Sequence, residues 1–588
     1  MVEEFDILIK NANIVDGVNK RFKGSLGVNG ERISEIGEIK GDAKKIIDAE
    51  GLIATPGFID SHSHADWSLP WYPNCESEVM QGCTTVVSGM CGDSPGPIKE
   101  FLSPPSVIYD EIFYKKPYLY HQPSLLNIDT VNEILEKKYG WVITWRTMSE
   151  FFNFVERKGI SINYTPFVGH GTIRYSVMGE DYKRESSTAE TEQMKEMIHQ
   201  AMDEGCLGLT AGLDYDPDVF ASRSEINECV SAIKEYNGIY HPHWRRTGRR
   251  LDVGMGARLE EPIKGIIEVI ETARITGVQL HIAHLAPGYH TIPPMTPNIG
   301  ETIGKETLIP IDEALKEGMK LSFDLIPWPC WEPLPYLCSQ HFAQWLRLLN
   351  SRRKLAEWLK IDEFRKKAWE EIETGKLYQR TVINPNLNPH WGENFKIVEH
   401  RNKNYEGKTL ARVAKELEKD PWNTLCDLIV EDPDSRGAHT DYRGIEEQMK
   451  VLMRHPMCAT GLDVSIVDER YEYNAPPYGL PLPDVYCGYP KFLIRYVRED
   501  NFLTLEEAVY KCSTLPAKIY DLKDRGTLKV GAYADITLLD LPHLEIVGAP
   551  ELSNRYPKGI QHVIINGKIV VDNGSHTGER PGKILKRK

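Results

Sequence analysis

Gly57-Phe58-Ile59-Asp60-Ser61-His62-Ser63-His64 is the stretch on which the reading of this chain turns. Phe58-Ile59 reads as the end of a buried strand, and His62 and His64 follow at its C-terminal tip. Residues i and i+2 of an extended chain point the same way, so both imidazoles reach toward one point. A lone His-x-His occurs by chance and often marks satisfied core histidines. One that ends an apolar strand at the start of a barrel carries more weight, because barrel active sites sit at the C-terminal ends of the strands.

Working outward, short apolar strands alternate with amphipathic stretches. Thr84-Thr85-Val86-Val87, Ser161-Ile162-Asn163-Tyr164, Gly208-Leu209-Thr210, Gln279-Leu280-His281-Ile282 and Lys320-Leu321-Ser322-Phe323 read as strands. Helical stretches at 188–204, 223–237 and 258–276 separate them, an alternation that argues for a closed parallel α/β barrel. The two ends read differently. Phe5, Ile7 and Ile9 open a run of short strands, and Ala534 to Leu539 and His562 to Val571 form others, with Asn566-Gly567 as a two-residue hairpin turn. Neither end has enough strands for a core. Residues 1–56 and 527–588 are therefore expected to meet as one β domain beside a catalytic barrel over 57–526. Stretches near 99–145 and 332–440 read as insertions on barrel loops. The basic tail Lys583-Ile584-Leu585-Lys586-Arg587-Lys588 reads as a solvated terminus.

At 588 residues the chain exceeds one ordinary core, and 41% hydrophobic with 26% charged residues is the profile of a soluble globular protein. A net charge of −15 disfavours nucleic acid and anionic membrane surfaces as partners. Eleven cysteines without regular spacing do not read as a disulfide framework. With no signal peptide or membrane run in view, a cytoplasmic location is expected, and the net charge leaves room for a small-molecule substrate held in a local positive pocket.

Further metal-ligand types recur after strands. His243 lies in Ile239-Tyr240-His241-Pro242-His243-Trp244-Arg245, and His284 in Val278-Gln279-Leu280-His281-Ile282-Ala283-His284. Asp463 follows Cys458-Ala459-Thr460-Gly461-Leu462, and Cys91 follows Thr84 to Met90. Such a set suits one or two divalent ions with a position left for water. On the residues alone, His241 and His281 are as eligible as His243 and His284, and Cys91 by itself reads as a small buried hydrophobe.

Taken in order, these features resemble the amidohydrolase superfamily, and within it the N-acyl-D-amino-acid deacylase branch. The finer likeness rests on Pro56 to His64, Gln81-Gly82-Cys83-Thr84-Thr85-Val86-Val87 with Cys91-Gly92, and Val168-Gly169-His170-Gly171-Thr172-Ile173-Arg174. It continues through Gly208 to Tyr215, Leu515-Pro516-Ala517, Asp524-Arg525-Gly526 and Gly531 to Asp535. The resemblance implies a TIM-like (β/α)8 barrel with a small β-sandwich domain. It also implies ligands at His62, His64, Cys91, His243, His284 and Asp463 for one or two Zn²⁺ or Mn²⁺ ions. Its Tyr-x-x-His-x-Arg pattern selects His243 over His241. Asp463 would move the proton of the nucleophilic water, and Tyr215, Arg245, His170 and Trp328 are the expected substrate contacts. Such barrels often pair, so a homodimer is the assembly it suggests.

Departures from the branch bear on substrate. No His-Pro-Arg follows Asp463, where the branch holds a substrate carboxylate, and Ile326 stands in place of a tyrosine in Asp324-Leu325-Ile326-Pro327-Trp328. Trp67, Trp71, Trp244, Trp328 and Trp331 lie near the motifs. Together these favour ring-opening hydrolysis of a cyclic carbonyl compound such as a cyclic β-diketone, as in the similar dihydrophloroglucinol cyclohydrolases. Hydrolysis of an amide C–N bond is the alternative. A non-catalytic barrel scaffold is a third class, to be told apart by metal content.

Overall fold

The computed structural model describes residues 4–103, 125–214, 216–245, 260–285, 297–327, 336–338, 342, 345, 349, 351–373, 391–393, 395–439, 443–470, 484–548 and 554–587. Eight parallel strands form the barrel. They are Phe58–Ser63, Cys83–Ser88, Asn163–Pro166 continued by Val168–Gly169, Gly208–Gly212, Ile239–His243, Gln279–Ile282, Leu321–Leu325 and Cys458–Thr460. Each pairs in parallel with the next, and a bridge from Ser63 to Val464 joins the eighth back to the first. Nearly every strand residue is buried, as a sheet covered on both faces requires.

Helices supply the outer cover. Ser187 caps Thr188–Asp203 in a reciprocal capping box with Glu190, and Ser222 caps Arg223–Ser231 by accepting from the Glu225 amide. Glu260–Thr276, Pro297–Lys316 and Arg443–Arg454 follow later strands.

The two chain ends build one branched, nine-stranded sheet. Glu4–Ile14, Phe22–Asn29, Arg32–Gly37, Asp42–Asp48 and Ile53–Pro56 join Ile536–Leu539, Ile560–Ile565, Lys568–Asp572 and Ser575–His576 through the antiparallel pairing of Ile53–Pro56 with Ile536–Leu539. Asn566 (φ 47°) and Gly567 (φ 72°) form the expected two-residue turn, with both residues at positive φ. Asp535, Asn566 and Asn163 tie this sheet to the barrel: the Arg525 guanidinium reaches the Asp535 carboxylate, and Asn566 Nδ2 donates to Asn163 Oδ1 at 2.8 Å.

Within 99–145, Phe101–Leu102 pairs with Leu126–Asn127 and leads into the helix Ile128–Tyr139. Between the seventh and eighth barrel strands, helices and the antiparallel pair Phe395–Glu399 and Arg436–His439 gather a separate core that includes Leu337, Phe342, Leu355, Ile397, Leu425 and Ile429.

The basic tail is not a free solvated terminus. It laces the entry of the third barrel strand to the turn before the fourth. The amides of Gly582, Leu585 and Arg587 donate to the carbonyls of Ile160, Tyr164 and Gly205 at 2.8, 2.7 and 2.9 Å, and the Tyr164 amide donates to Lys583 O at 2.9 Å. The charged side chains hid this from the sequence, because the backbone makes these bonds. Lys586 and Arg587 also lie over the rings of Phe152 and Tyr236. Four such hydrogen bonds at a net ~0.5–1.5 kcal/mol each come to roughly 2–6 kcal/mol. Deleting 581–588 is expected to lower stability by that amount in chemical denaturation, and an unchanged midpoint would contradict the strap.

Candidate metal centre

Six donors meet at the C-terminal mouth of the barrel. Cys91 Sγ lies 3.4 Å from His62 Nε2, 3.5 Å from His284 Nε2 and 3.6 Å from His243 Nδ1. Asp463 Oδ1 lies 3.0 Å from His64 Nε2 and 3.5 Å from His62 Nε2. The donors fall into two overlapping groups, His62–His64–Cys91–Asp463 and Cys91–His243–His284, that share the cysteine. The second group is buried throughout, whereas His64 and Asp463 keep 29% and 27% of their side-chain surface exposed.

Barrel closure delivers Asp463 to the histidines. The Asp463 amide donates to His62 O at 2.8 Å, and the His64 amide to Val464 O at 2.9 Å, so the end of the eighth strand runs alongside the first. Gly461 permits the approach, since a Cβ there would lie 2.5 Å from His62 Cβ. Three donors sit at positive φ, Cys91 at 56°, His284 at 32° and Asp463 at 58°. That conformation is uncommon for residues other than glycine and is held only where surrounding structure over-determines it.

A second layer of polar groups lies beneath. His241 and His243 both point inward from the fifth strand, two residues apart, but His241 sits one layer lower. Asp324 Oδ2 accepts from His241 Nε2 at 3.1 Å and from His281 Nε2 at 3.0 Å, and Asp324 Oδ1 accepts from the His284 amide at 2.8 Å. His62 Nδ1 is 3.9 Å from the same carboxylate. The choice left open by sequence is thus drawn in space: His243 and His284 gather on Cys91, while His241 and His281 gather on Asp324. The sequence motif assigns Asp324 no ligand role, although its place at the tip of the seventh strand marks it as a candidate. Asp60 also braces the site, its Oδ1 accepting from the amides of His62 at 3.0 Å and Leu462 at 2.8 Å.

The charge pattern follows from these contacts. Burial alone would push the Cys91 thiol up, but the charge of His62 and the contacts from His243 and His284 hold it well below its ordinary value. Burial likewise opposes charge on Asp463 and His64. The histidines nevertheless keep Asp463 ionised, and Asp463 with Cys91 raises His64 to about 10. His241 is held down to about 3 by burial and by His281, so it stays neutral and donates to an ionised Asp324.

The expected substrate contacts fare differently. Tyr215 and Trp328 lie outside the described residues, as do 471–483, the region in which no His-Pro-Arg occurs. His170 is fully buried, with Nδ1 2.8 Å from Asp218 and Nε2 3.3 Å from Glu225, and so is placed in an interior ion cluster instead of facing a ligand. Arg245 is committed to Glu268 at 3.1 Å and Leu213 O at 2.7 Å, and the buried Arg174 pairs with Glu225. Neither guanidinium can clamp a carboxylate without giving up its own acid, the buried Glu225 for Arg174 and the largely covered Glu268 for Arg245. Of the five tryptophans near the motifs, the three described ones are packing residues: Trp67 lies against Trp145, Trp71 against Trp141 and Tyr139, and Trp244 is fully buried in the main core, whereas Trp331, like Trp328, lies outside the described residues.

The pattern of the Amidohydrolase family matches residues 45–231 and 398–571. The N-acyl-D-glutamate deacylase of Alcaligenes xylosoxydans xylosoxydans is 26% identical over 593 aligned residues, covering 100% of this chain and 98% of that protein. A D-aminoacylase of the same organism is 25% identical over 588 residues, with 100% and 98% covered. Among solved structures, a D-aminoacylase at 22% identity superimposes with a TM-score of 0.66 over 99% of this chain and 100% of its own. The N-acyl-D-glutamate deacylase from Bordetella bronchiseptica, solved with zinc and a phosphonate inhibitor, gives 0.66 at 23% identity, over 99% of this chain and 100% of its own. These likenesses share the barrel and small β domain seen here. Because the family pattern spans more than half of the chain, this protein belongs to the amidohydrolase family and is a hydrolase of that family.

Proposed function

We propose that this chain is a metal-dependent amide hydrolase that removes the acyl group from an N-acyl-D-amino acid. The observation that carries the chemistry is the pair of donor groups sharing Cys91, with Asp463 at their exposed edge. The substrate class is supported by full-length similarity to three deacylases that act on D-amino-acid derivatives, the third being an N-acyl-D-aspartate deacylase 26% identical over 585 residues, with 99% of this chain and 95% of that protein covered. Ring opening of a cyclic diketone, favoured by sequence, is set aside because the full-length relatives are deacylases, and because the three described tryptophans of its aromatic argument, Trp67, Trp71 and Trp244, are engaged in packing.

The donor set fits a divalent cation. An ionised thiol and an ionised carboxylate stand among four imidazoles, a mixture that suits Zn²⁺ and admits Mn²⁺. His243 and His284 with Cys91 would hold one ion, and His62, His64 and Asp463 with the same cysteine a second. When bound, the metal lowers the pKa of a water toward ~7 and polarises a carbonyl. Asp463 is ionised and reaches solvent, so it is the group placed to take a proton from the attacking water and return it to the departing amine. His62 and His64 hold that carboxylate in place.

Asp463→Asn is expected to lower kcat for an N-acetyl-D-amino acid by about 10²–10⁴-fold while retaining the ion held by Cys91, His243 and His284. Turnover of dihydrophloroglucinol by the native protein, with N-acetyl-D-amino acids untouched, would contradict the assignment. Metal analysis should show Cys91→Ala losing more bound ion than His64→Ala; equal losses would dissolve the shared-cysteine reading. Finally, the metal-free protein should carry a stabilising charge on His64, present in full below 6.5 and lost as pH rises through about 10. A cation competes with that proton, so apparent metal affinity should rise with pH across this window. Titrations showing a pH-independent affinity would sink this account of His64.

A further inference from the structure

Asp66 makes its hydrogen bonds to Ser88, Gly89 and Tyr164 and to none of the six donors, yet it joins the two turns that carry three of them. We infer that Asp66 is a positioning residue that holds the Cys91 turn against the His62–His64 segment, with Thr210 as its counterpart on the far side of the turn. This assignment rests on the metal-centre reading above.

The carboxylate of Asp66 is almost completely buried and fully engaged. Oδ2 accepts from Ser88 Oγ at 2.5 Å and from the Gly89 amide at 2.8 Å, and Oδ1 accepts from the Tyr164 hydroxyl at 2.6 Å. The Asp66 amide donates to Ser88 Oγ at 3.2 Å, and Ser88 Oγ lies 2.8 Å from Ser63 O. One side chain therefore links the exits of the first and second strands and the body of the third. From the fourth strand, Thr210 Oγ1 donates to Gly89 O at 2.5 Å and accepts from the Gly92 amide at 3.1 Å.

The turn between these clamps needs holding. Gly89, Cys91 and Gly92 all have positive φ, at 90°, 56° and 77°. The first could not be another residue without collision, since a Cβ at Gly89 would lie 2.3 Å from Phe167 O. A turn with Cys91 in a left-handed conformation relaxes when its amide and carbonyl anchors are removed. Relaxation would carry the sulfur away from both donor groups at once, because Cys91 belongs to each. Residues that orient metal ligands from behind commonly contribute 10–100-fold in affinity.

A merely structural buried acid would affect stability alone, and this sets the experiment. Metal-free full-length protein, Asp66→Asn, Tyr164→Phe and Thr210→Val are titrated with Co²⁺, following the thiolate-to-cobalt charge-transfer band in the near ultraviolet, and each is melted. Asp66→Asn is expected to need about 10- to 100-fold more Co²⁺ for half of the band. Tyr164→Phe, which leaves the Gly89 amide bond in place, should lower Tm while keeping the native titration. Thr210→Val should shift the titration as Asp66→Asn does, and it carries the test if Asp66→Asn does not fold. An unshifted band in Asp66→Asn or Thr210→Val, or an equal shift in Tyr164→Phe, overturns the positioning role. A native protein without any band overturns the metal reading and this assignment with it.

Discussion

The main-chain pairing of the first and eighth barrel strands is the constraint on which the rest depends. Two hydrogen bonds, Asp463 N to His62 O and His64 N to Val464 O, bring together residues about 400 positions apart in sequence. They close the barrel and place the one carboxylate donor beside two histidines. The seam and the site are the same place. A side chain larger than glycine at 461 would press on His62 and disturb both.

From that seam the site is built in two layers. The upper layer holds a thiolate, four imidazoles and a carboxylate, three of them on residues in left-handed conformations at roughly 1–3 kcal/mol apiece. The lower layer, centred on Asp324 with His241 and His281, satisfies polar atoms that would otherwise be stranded in the barrel core. It also fixes His284 through its amide. Strain above is tolerated because the layer below, and the Asp66 and Thr210 contacts beside it, leave these turns few other conformations.

Much of this architecture was legible in the chain. A period-two pair of histidines on an apolar strand, strand–helix alternation and β-rich ends give the barrel and its partner sheet by pattern alone. What pattern could not separate was depth. His241 and His243 share a face, and only three-dimensional layering sends one to Asp324 and the other to Cys91. Nor could it show which charges are already spent. Arg174, Arg245 and His170 sit in motifs that invite a ligand, yet acids from other elements already occupy them. The tail misled for the opposite reason, since its charge advertised solvent while its backbone completed the barrel wall.

Cys91 is shared by two donor groups at the barrel mouth, and this sharing organises the site. It is tested most directly by crystallising the metal-loaded protein and locating the ions by anomalous scattering at the metal edge. An ion is expected among Cys91, His243 and His284, with any second ion bound by His62, His64 and Asp463 and touching the same sulfur. An ion seated on Asp324, His241 and His62, with Cys91 unligated, would contradict it.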